Sequence, residues 1–156
     1  MKKIILVGRS EAGKTTLTQA LKGEKIGYHK TQYINYHDVV IDTPGEYVEN
    51  RELSRALALY TYEADVVGLL VSSREPFCLF PPCCAAAANR EVIGIVTQIN
   101  AEDGDPVLAK LWLEIAGCEK VFFVDSVTGE GVDRILRYLI DGEFEPYYGK
   151  FIESAV

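Results

Sequence analysis

Positive charge is in short supply in this chain. Sixteen lysines and arginines face 23 aspartates and glutamates, a formal charge of −7 over 156 residues. That balance repels a phosphate backbone and argues against a general nucleic-acid binder, so any phosphate held here must be captured locally. Long hydrophobic runs are also lacking. In the opening MKKIILVGRSEAGK the apolar run ends after four residues, short of a secretory h-region or a membrane span. A cytoplasmic protein without membrane contacts is the expectation. Cysteine is sparse: Cys78, Cys83, Cys84 and Cys118 fit neither paired zinc-ligand spacing nor a disulfide framework. The three clustered in FCLFPPCC are expected to be small buried apolar residues. Internal repeats and low-complexity linkers are absent as well, and 48% hydrophobic residues in a chain of this length suffice for one packed domain.

The apolar segments that do occur alternate in period. Lys3–Val7, Val39–Asp42, VVGLLVSS from Val66, VIGIVTQIN from Val92 and KVFFVDS from Lys120 read as buried strands, and Gln32–Tyr36 as one more extended segment. Between them, helical spacing groups Leu53, Leu57 and Tyr60; then Leu108, Leu111, Trp112 and Ile115; then Val132, Ile135, Leu136, Leu139 and Ile140. The alanine run Ala85–Ala88 reads as a close-packed helix turn. Strands alternating with helices predict a doubly wound α/β sheet.

One stretch carries chemistry. GRSEAGKTT, Gly8 to Thr16, matches G-x-x-x-x-G-K-[ST] in full and sits after a predicted strand and before a predicted helix. In that setting the backbone N–H groups of Gly8, Arg9, Ser10, Glu11, Ala12 and Gly13 can curl around a phosphate, and the helix turns its positive end toward the same anion. Lys14 is expected at the β- and γ-phosphates and the Thr15 hydroxyl on Mg2+, with Thr16 opening the helix. DTPGE follows, 27 residues after Thr15, at the carboxyl end of a predicted strand. Asp42 is placed to hold Mg2+ and Gly45 to bring its N–H to the γ-phosphate. Thr31, in the polar stretch between, is either a further Mg2+ ligand or an exposed hydroxyl. The ligand these motifs imply is a nucleoside triphosphate.

These residues resemble the small Ras-like P-loop proteins, and within them the EutP/PduV family of ethanolamine and propanediol utilisation. The resemblance rests on GRSEAGKTTL, on KTQ at Lys30–Gln32, on IDTPGEY at Ile41–Tyr47, and on FPP at Phe80–Pro82 leading into VIGIVTQIN. It implies a mostly parallel six-stranded sheet with helices on both faces, Mg2+-dependent binding of ATP or GTP, and association with the shell or enzyme proteins of bacterial microcompartments. It leaves two activities open: a GTPase-like hydrolysis, and an acetate kinase-type transfer with acetate as the acceptor. A nucleotide-sensing adaptor that does not hydrolyse is the third reading.

The chain departs from the guanine-specific pattern of that group. Where [NT]-K-x-D would end the fifth strand it has Thr97, Gln98, Ile99 and Asn100. An aspartate there accepts two hydrogen bonds from guanine, whereas an asparagine has one acceptor and two donors, so Asn100 is expected to turn a donor on a donor. Gln98 replaces a lysine whose stem would pack on the base. TQIN is then either a modified base reader or a plain strand end. Ser126 stands where the group has a small alanine whose N–H faces the base. Glu46 either takes the place of a water-orienting glutamine, where its charge opposes the γ-phosphate and slow hydrolysis is expected, or is a solvated loop glutamate.

Arg9, His29, Lys30, Arg51 and Arg55 are candidate cations for clamping acetate or, equally, solvated surface charges. Residues 1–142 are read as the nucleotide-binding domain. Residues 143–156, with Phe144, Tyr147, Tyr148, Phe151 and Ile152 at helical spacing, are read as a terminal helix or tail, either packed back on the domain or docking a partner.

Overall fold

Ile4, Ile5, Leu6 and Val7 are all buried, and they alternate between two cores: Ile5 and Val7 face one, Ile4 and Leu6 the other. A strand apolar on both faces needs cover on both, which is the signature of a parallel sheet between helical layers. The computed structural model describes residues 2–8, 13, 16–21, 40–42, 65–76, 80, 83–87 and 90–144. Among these, β1 (Ile4–Val7), β2 (Val40–Asp42), β3 (Val66–Ser72), β4 (Glu91–Thr97) and β5 (Val121–Phe123) form one sheet in the order β2-β1-β3-β4-β5. Every pairing is parallel. The chain winds from β1 to β2 on one side, then to β3, β4 and β5 on the other, so its winding reverses between β1 and β3. At such a reversal a crevice opens outside the carboxyl ends of the strands. The expected strand Gln32–Tyr36 and the stripe Leu53, Leu57 and Tyr60 lie outside the described residues.

Helix α1 (16–21) buries Leu17 and Leu21 in the core that holds Ile4 and Leu6. The same core takes Val132, Ile135, Leu136 and Leu139 from α3 (Val132–Asp141), as their spacing predicts, and Tyr138 besides; Ile140 is half-buried. Left-handed glycines bracket α3, Gly131 at φ 83° and Gly142 at φ 74°. Phe144 continues onto this side, its ring edge-on to Phe122 at 5.2 Å. The rest of the C-terminal stripe lies outside the described residues.

On the other face lies α2 (Pro106–Ala116), and here the expected stripe is wrong. Asp105 caps its start by accepting from the Leu108 N–H at 3.1 Å, Pro106 opens it, and Gly117 at φ 110° ends it. The face that packs inward is Ala109, Leu113 and Ala116; Leu108, Leu111 and Ile115 are 38%, 50% and 47% exposed, and of the expected stripe only Trp112 packs on the core. The cause is close approach. A Cβ placed on Gly94 of β4 would stand 3.0 Å from Leu113 Cδ1, so the helix lies nearly against the strand backbone and only small residues fit beside Leu113. A helix in which Lys110 and Glu114 are the only charged residues offers several apolar faces, and side-chain volume decides between them.

Of the alanine run, Ala85, Ala86 and Ala87 form part of a turn, and Ala88 lies outside the described residues. Cys84–Ala87 is a single 3-10 turn, and a Cβ on Gly117 would meet Ala85 Cβ at 3.0 Å. The thiols divide: Cys118 is buried, but Cys83 is exposed, contrary to expectation. Cys83 sits in a left-handed turn, φ 61°, and donates its N–H to the Ile115 carbonyl at 2.9 Å at the surface end of α2. No helix among the described residues is long and apolar enough to cross a membrane.

Candidate nucleotide site

The site is assembled at the reversal of winding. Gly8 follows β1, and Gly13 adopts φ 88°, a left-handed conformation that glycine enters without strain. The Gly13 carbonyl accepts from the Leu17 N–H at 2.9 Å, so this glycine is the hinge at which loop becomes helix. The amino end of α1 therefore begins at this glycine, and a helix amino end is a place where an anion is favoured. Thr16 is exposed on the first turn. Asp42 closes β2 in register with Leu6, at the same edge of the sheet and one strand from the loop. Arg9, Ser10, Glu11, Ala12, Lys14, Thr15, Thr31, Gly45 and Glu46 lie outside the described residues, as do His29, Lys30, Arg51 and Arg55.

The neighbouring wall is TQIN. Thr97 is buried at the end of β4, and its Oγ1 lies 3.7 Å from where a Gly13 Cβ would be, so this wall adjoins the phosphate loop directly. Gln98 turns the chain at φ 56° and is bound to the last residue of β3 and to the residue after it. Its Oε1 accepts from Ser72 Oγ and its carbonyl from Ser73 Oγ, both at 2.6 Å. The lysine replacement therefore braces the end of β3. Asn100 donates both hydrogens of its amide nitrogen, one to Asp125 Oδ2 and one to Glu130 Oε2, each at 2.9 Å.

The loop from Asp125 to Gly131 is closely tied. Asp125 N–H donates to the Glu130 carbonyl at 2.9 Å, Gly129 N–H to the Asp125 carbonyl at 2.8 Å, and Asp125 Oδ1 accepts from Val127 N–H at 3.0 Å. Gly131 is obligatory here, since a Cβ would fall 2.0 Å from the Phe123 carbonyl oxygen. Inside the loop Ser126 Oγ is buried without a hydrogen-bond partner among the described residues, a polar group of the kind a ligand or water satisfies.

The structure thus brings Gly8, Gly13, Thr16, Asp42, Gln98, Asn100 and Ser126 to one edge of the sheet. Ser72, Ser73, Asp125 and Glu130 were not singled out from the sequence. The available signal was two acids bracketing the turn D-S-V-T-G-E opposite an asparagine, and two hydroxyls ending a buried strand one step from TQIN.

Known proteins fit this arrangement. Residues 1–141 match the PduV-EutP family, described as ethanolamine utilisation - propanediol utilisation. The propanediol utilization protein PduV of Citrobacter freundii is 42% identical over 140 residues, covering 89% of this chain and 93% of that protein. A protein of Escherichia coli K12 named probable acetate kinase EutP is 30% identical over 142 residues, covering 89% of each chain. Among solved structures, the FeoB G-domain of Methanococcus jannaschii superposes with a TM-score of 0.57 at 20% identity, covering 89% of this chain and 95% of that one. A variant of Era from Aquifex aeolicus, bound to GDP and AlF4-, gives 0.57 at 16% identity over 94% of this chain and 58% of its own. The fold is therefore that of Ras-like P-loop GTPases, and the chain belongs to the PduV-EutP family.

Proposed function

We propose that this member of the PduV-EutP family binds a Mg2+–nucleoside triphosphate at the crevice between β1 and β3 and cleaves the γ-phosphate slowly, or faster with a partner. The observation that carries the reading is Gly13: a left-handed hinge whose carbonyl starts α1, inside a complete phosphate-loop motif. The backbone from Gly8 to Gly13 cradles the phosphates, Lys14 reaches the β- and γ-oxygens, and Gly45 offers its N–H to the γ-phosphate. Thr15, Asp42 and Thr31 are the residues that would hold Mg2+, which when bound neutralises charge developing on the phosphates. Asp42 fits that assignment by its place at the end of β2. Glu46 occupies the water-facing position, where its charge keeps turnover low. Gln98, Asn100 and Ser126 form the base end.

The same reading gives the sheet a sixth strand over Gln32–Tyr36 and packs residues 143–156 on the domain, a placement that Phe144 against Phe122 supports. It places the protein in the cytoplasm with propanediol- or ethanolamine-degrading machinery, where microcompartment shell or enzyme proteins are its partners. Titration of the intact protein with GTP and ATP, with and without Mg2+, tests the core of it. Mg2+-dependent binding that Lys14→Ala weakens at least about a hundredfold is the expected result, since a charge-assisted contact to phosphate is lost. Binding that ignores Mg2+ or survives Lys14→Ala rules it out.

One second reading has a specific support, the 30% identity to a relative named as a probable acetate kinase. In that case the γ-phosphate passes to acetate. ADP release that rises with acetate above the rate in water would favour it, and a rate indifferent to acetate would remove it.

A further inference from the structure

Helix α2 is apolar on two sides. At about 100° per residue, Ala109, Leu113 and Ala116 fall within one arc, and these are buried against the sheet. Val107, Leu111, Ile115 and Leu108 fall within a second arc, about 100° wide and nearly opposite the first, where they are 36%, 50%, 47% and 38% exposed. An ordinary surface helix turns charge to solvent, whereas one that is apolar around most of its circumference is suited to being covered on both sides. The outward arc carries no charge. Lys110 and Glu114, paired with each other, border it on one flank, and the half-buried Trp112 borders it on the other.

We infer that this outward face is an interface between two copies of the chain, whose α2 helices pack antiparallel across a two-fold axis at Leu111. The interface does not depend on the triphosphate reading above. Three features select a second copy over another occupant. The stripe is symmetric in sequence: Val107 and Ile115 each stand four residues from Leu111, so a half-turn there sets Leu111 against Leu111 and Val107 of one copy against Ile115 of the other. That is the self-complementarity a two-fold interface requires.

Charge sorts with it. In the antiparallel pair the Lys110–Glu114 flanks of both copies fall on the same rim and run in opposite directions, so each ammonium lies toward the carboxylate of the other copy. A parallel pair would set each charged flank against the other copy's Trp112 instead. The net charge points the same way. At −7, two copies repel one another over most of their surface and can approach most closely where that surface is neutral. A partner of opposite charge would find nothing on the outward arc to hold it by. A single helix pair buries less than the roughly 800 Å2 per partner of a stable interface, so the association is reversible, with a Kd on the order of 100 μM.

Sedimentation velocity of the full chain, from well below to well above that concentration, should show a monomer–dimer equilibrium. Leu111→Glu alone, or Leu111→Lys alone, sets two like charges face to face at the axis, and each should weaken dimerisation at least about tenfold. An equimolar mixture of the two should dimerise again, because residue 111 of one copy faces residue 111 of the other. Since Leu111 is half exposed on the side away from the core, each variant should keep the parent's urea midpoint. If either does not, Leu111→Ala decides, as it adds no charge and should weaken dimerisation severalfold through lost apolar contact. A parent that stays monomeric, a dimer that no change at Leu111 weakens, or charged variants that mixing does not restore overturns the inference. A monomeric parent that dimerises only when cut after Phe144 assigns the face to the chain's own C-terminal segment, and overturns it as well.

Discussion

The two ends of the sheet use similar side chains to opposite effect. At the amino ends of the strands, Lys2 and Lys120 both pair with Glu91, at 3.8 and 2.9 Å, and both ammonium groups lie over the Tyr138 ring, at 5.7 and 5.6 Å. Opposite charges there meet one another. At the carboxyl ends two like charges, Asp125 and Glu130, converge on the neutral amide of Asn100, and the buried Ser126 hydroxyl has no partner among the described residues. A cleft of about 390 Å3 opens at the amino end between Arg90, Glu91, Gly117 and Lys120, so a cleft by itself would point to that end for a ligand. Chemistry chooses the other. A network of opposite charges closes on itself and serves cohesion, whereas acceptors that converge on one group orient that group for something else.

The sharpest break of this contrast is Gly131→Ala, which should make a residue of the carboxyl end cost folding rather than binding. A Cβ there falls 2.0 Å from the Phe123 carbonyl oxygen, and φ 83° is strained for alanine as well. A loss of at least about 4 kcal/mol is expected, among the largest a single substitution produces, because backbone on both sides would have to move. Urea melts would read it, and a loss under about 1 kcal/mol would mean the Asp125–Gly131 loop is looser than its hydrogen bonds imply. Ser72→Ala comes next. It removes the hydroxyl that Gln98 Oε1 accepts from, and a cost of about 1 kcal/mol is expected, together with a severalfold loss of nucleotide affinity as the TQIN wall loosens. Equal stability and affinity to the parent would show that Gln98 is placed by its backbone alone.

How far this was legible beforehand depends on whether the signal was local. The strand β1 and the helix that starts after Gly13 could be read because strand, motif and helix lie in one unbroken stretch. The strands could be read because residues buried on both faces leave an uninterrupted apolar run, as in β3. The inward face of α2 could not. Periodicity ranks faces by apolar residues, but the winner was Ala109, Leu113 and Ala116, selected by a glycine on a different strand, Gly94. Asn100 shows the same limit in chemistry. Its residue type implied donors facing the ligand, and only the three-dimensional arrival of Asp125 and Glu130, 25 and 30 residues later, turned them inward.

The smallest expected effect lies at the amino end and is the one most dependent on conditions. Burial alone would raise the Glu91 carboxyl above its ordinary value of 4.5, but the hydrogen bond from Lys120 and the charges of Lys120 and Lys2 oppose it, and the group is held below that value. Burial, and then the nearby charge of Glu91, push the Tyr138 hydroxyl up. A carboxylate with a depressed folded-state pKa stabilises the fold above the unfolded value, and the contribution disappears as pH falls through the folded one. Glu91→Gln should therefore cost under about 1 kcal/mol at pH 7, because the side chain is a third exposed and the pair is screened by solvent. That difference should shrink as pH drops below 4.5 and vanish once the parent carboxyl is protonated. Nucleotide affinity should not move at either pH. A cost that persists in acid would show that Glu91 acts by packing rather than charge, and a change in affinity would show that the two ends of the sheet are coupled.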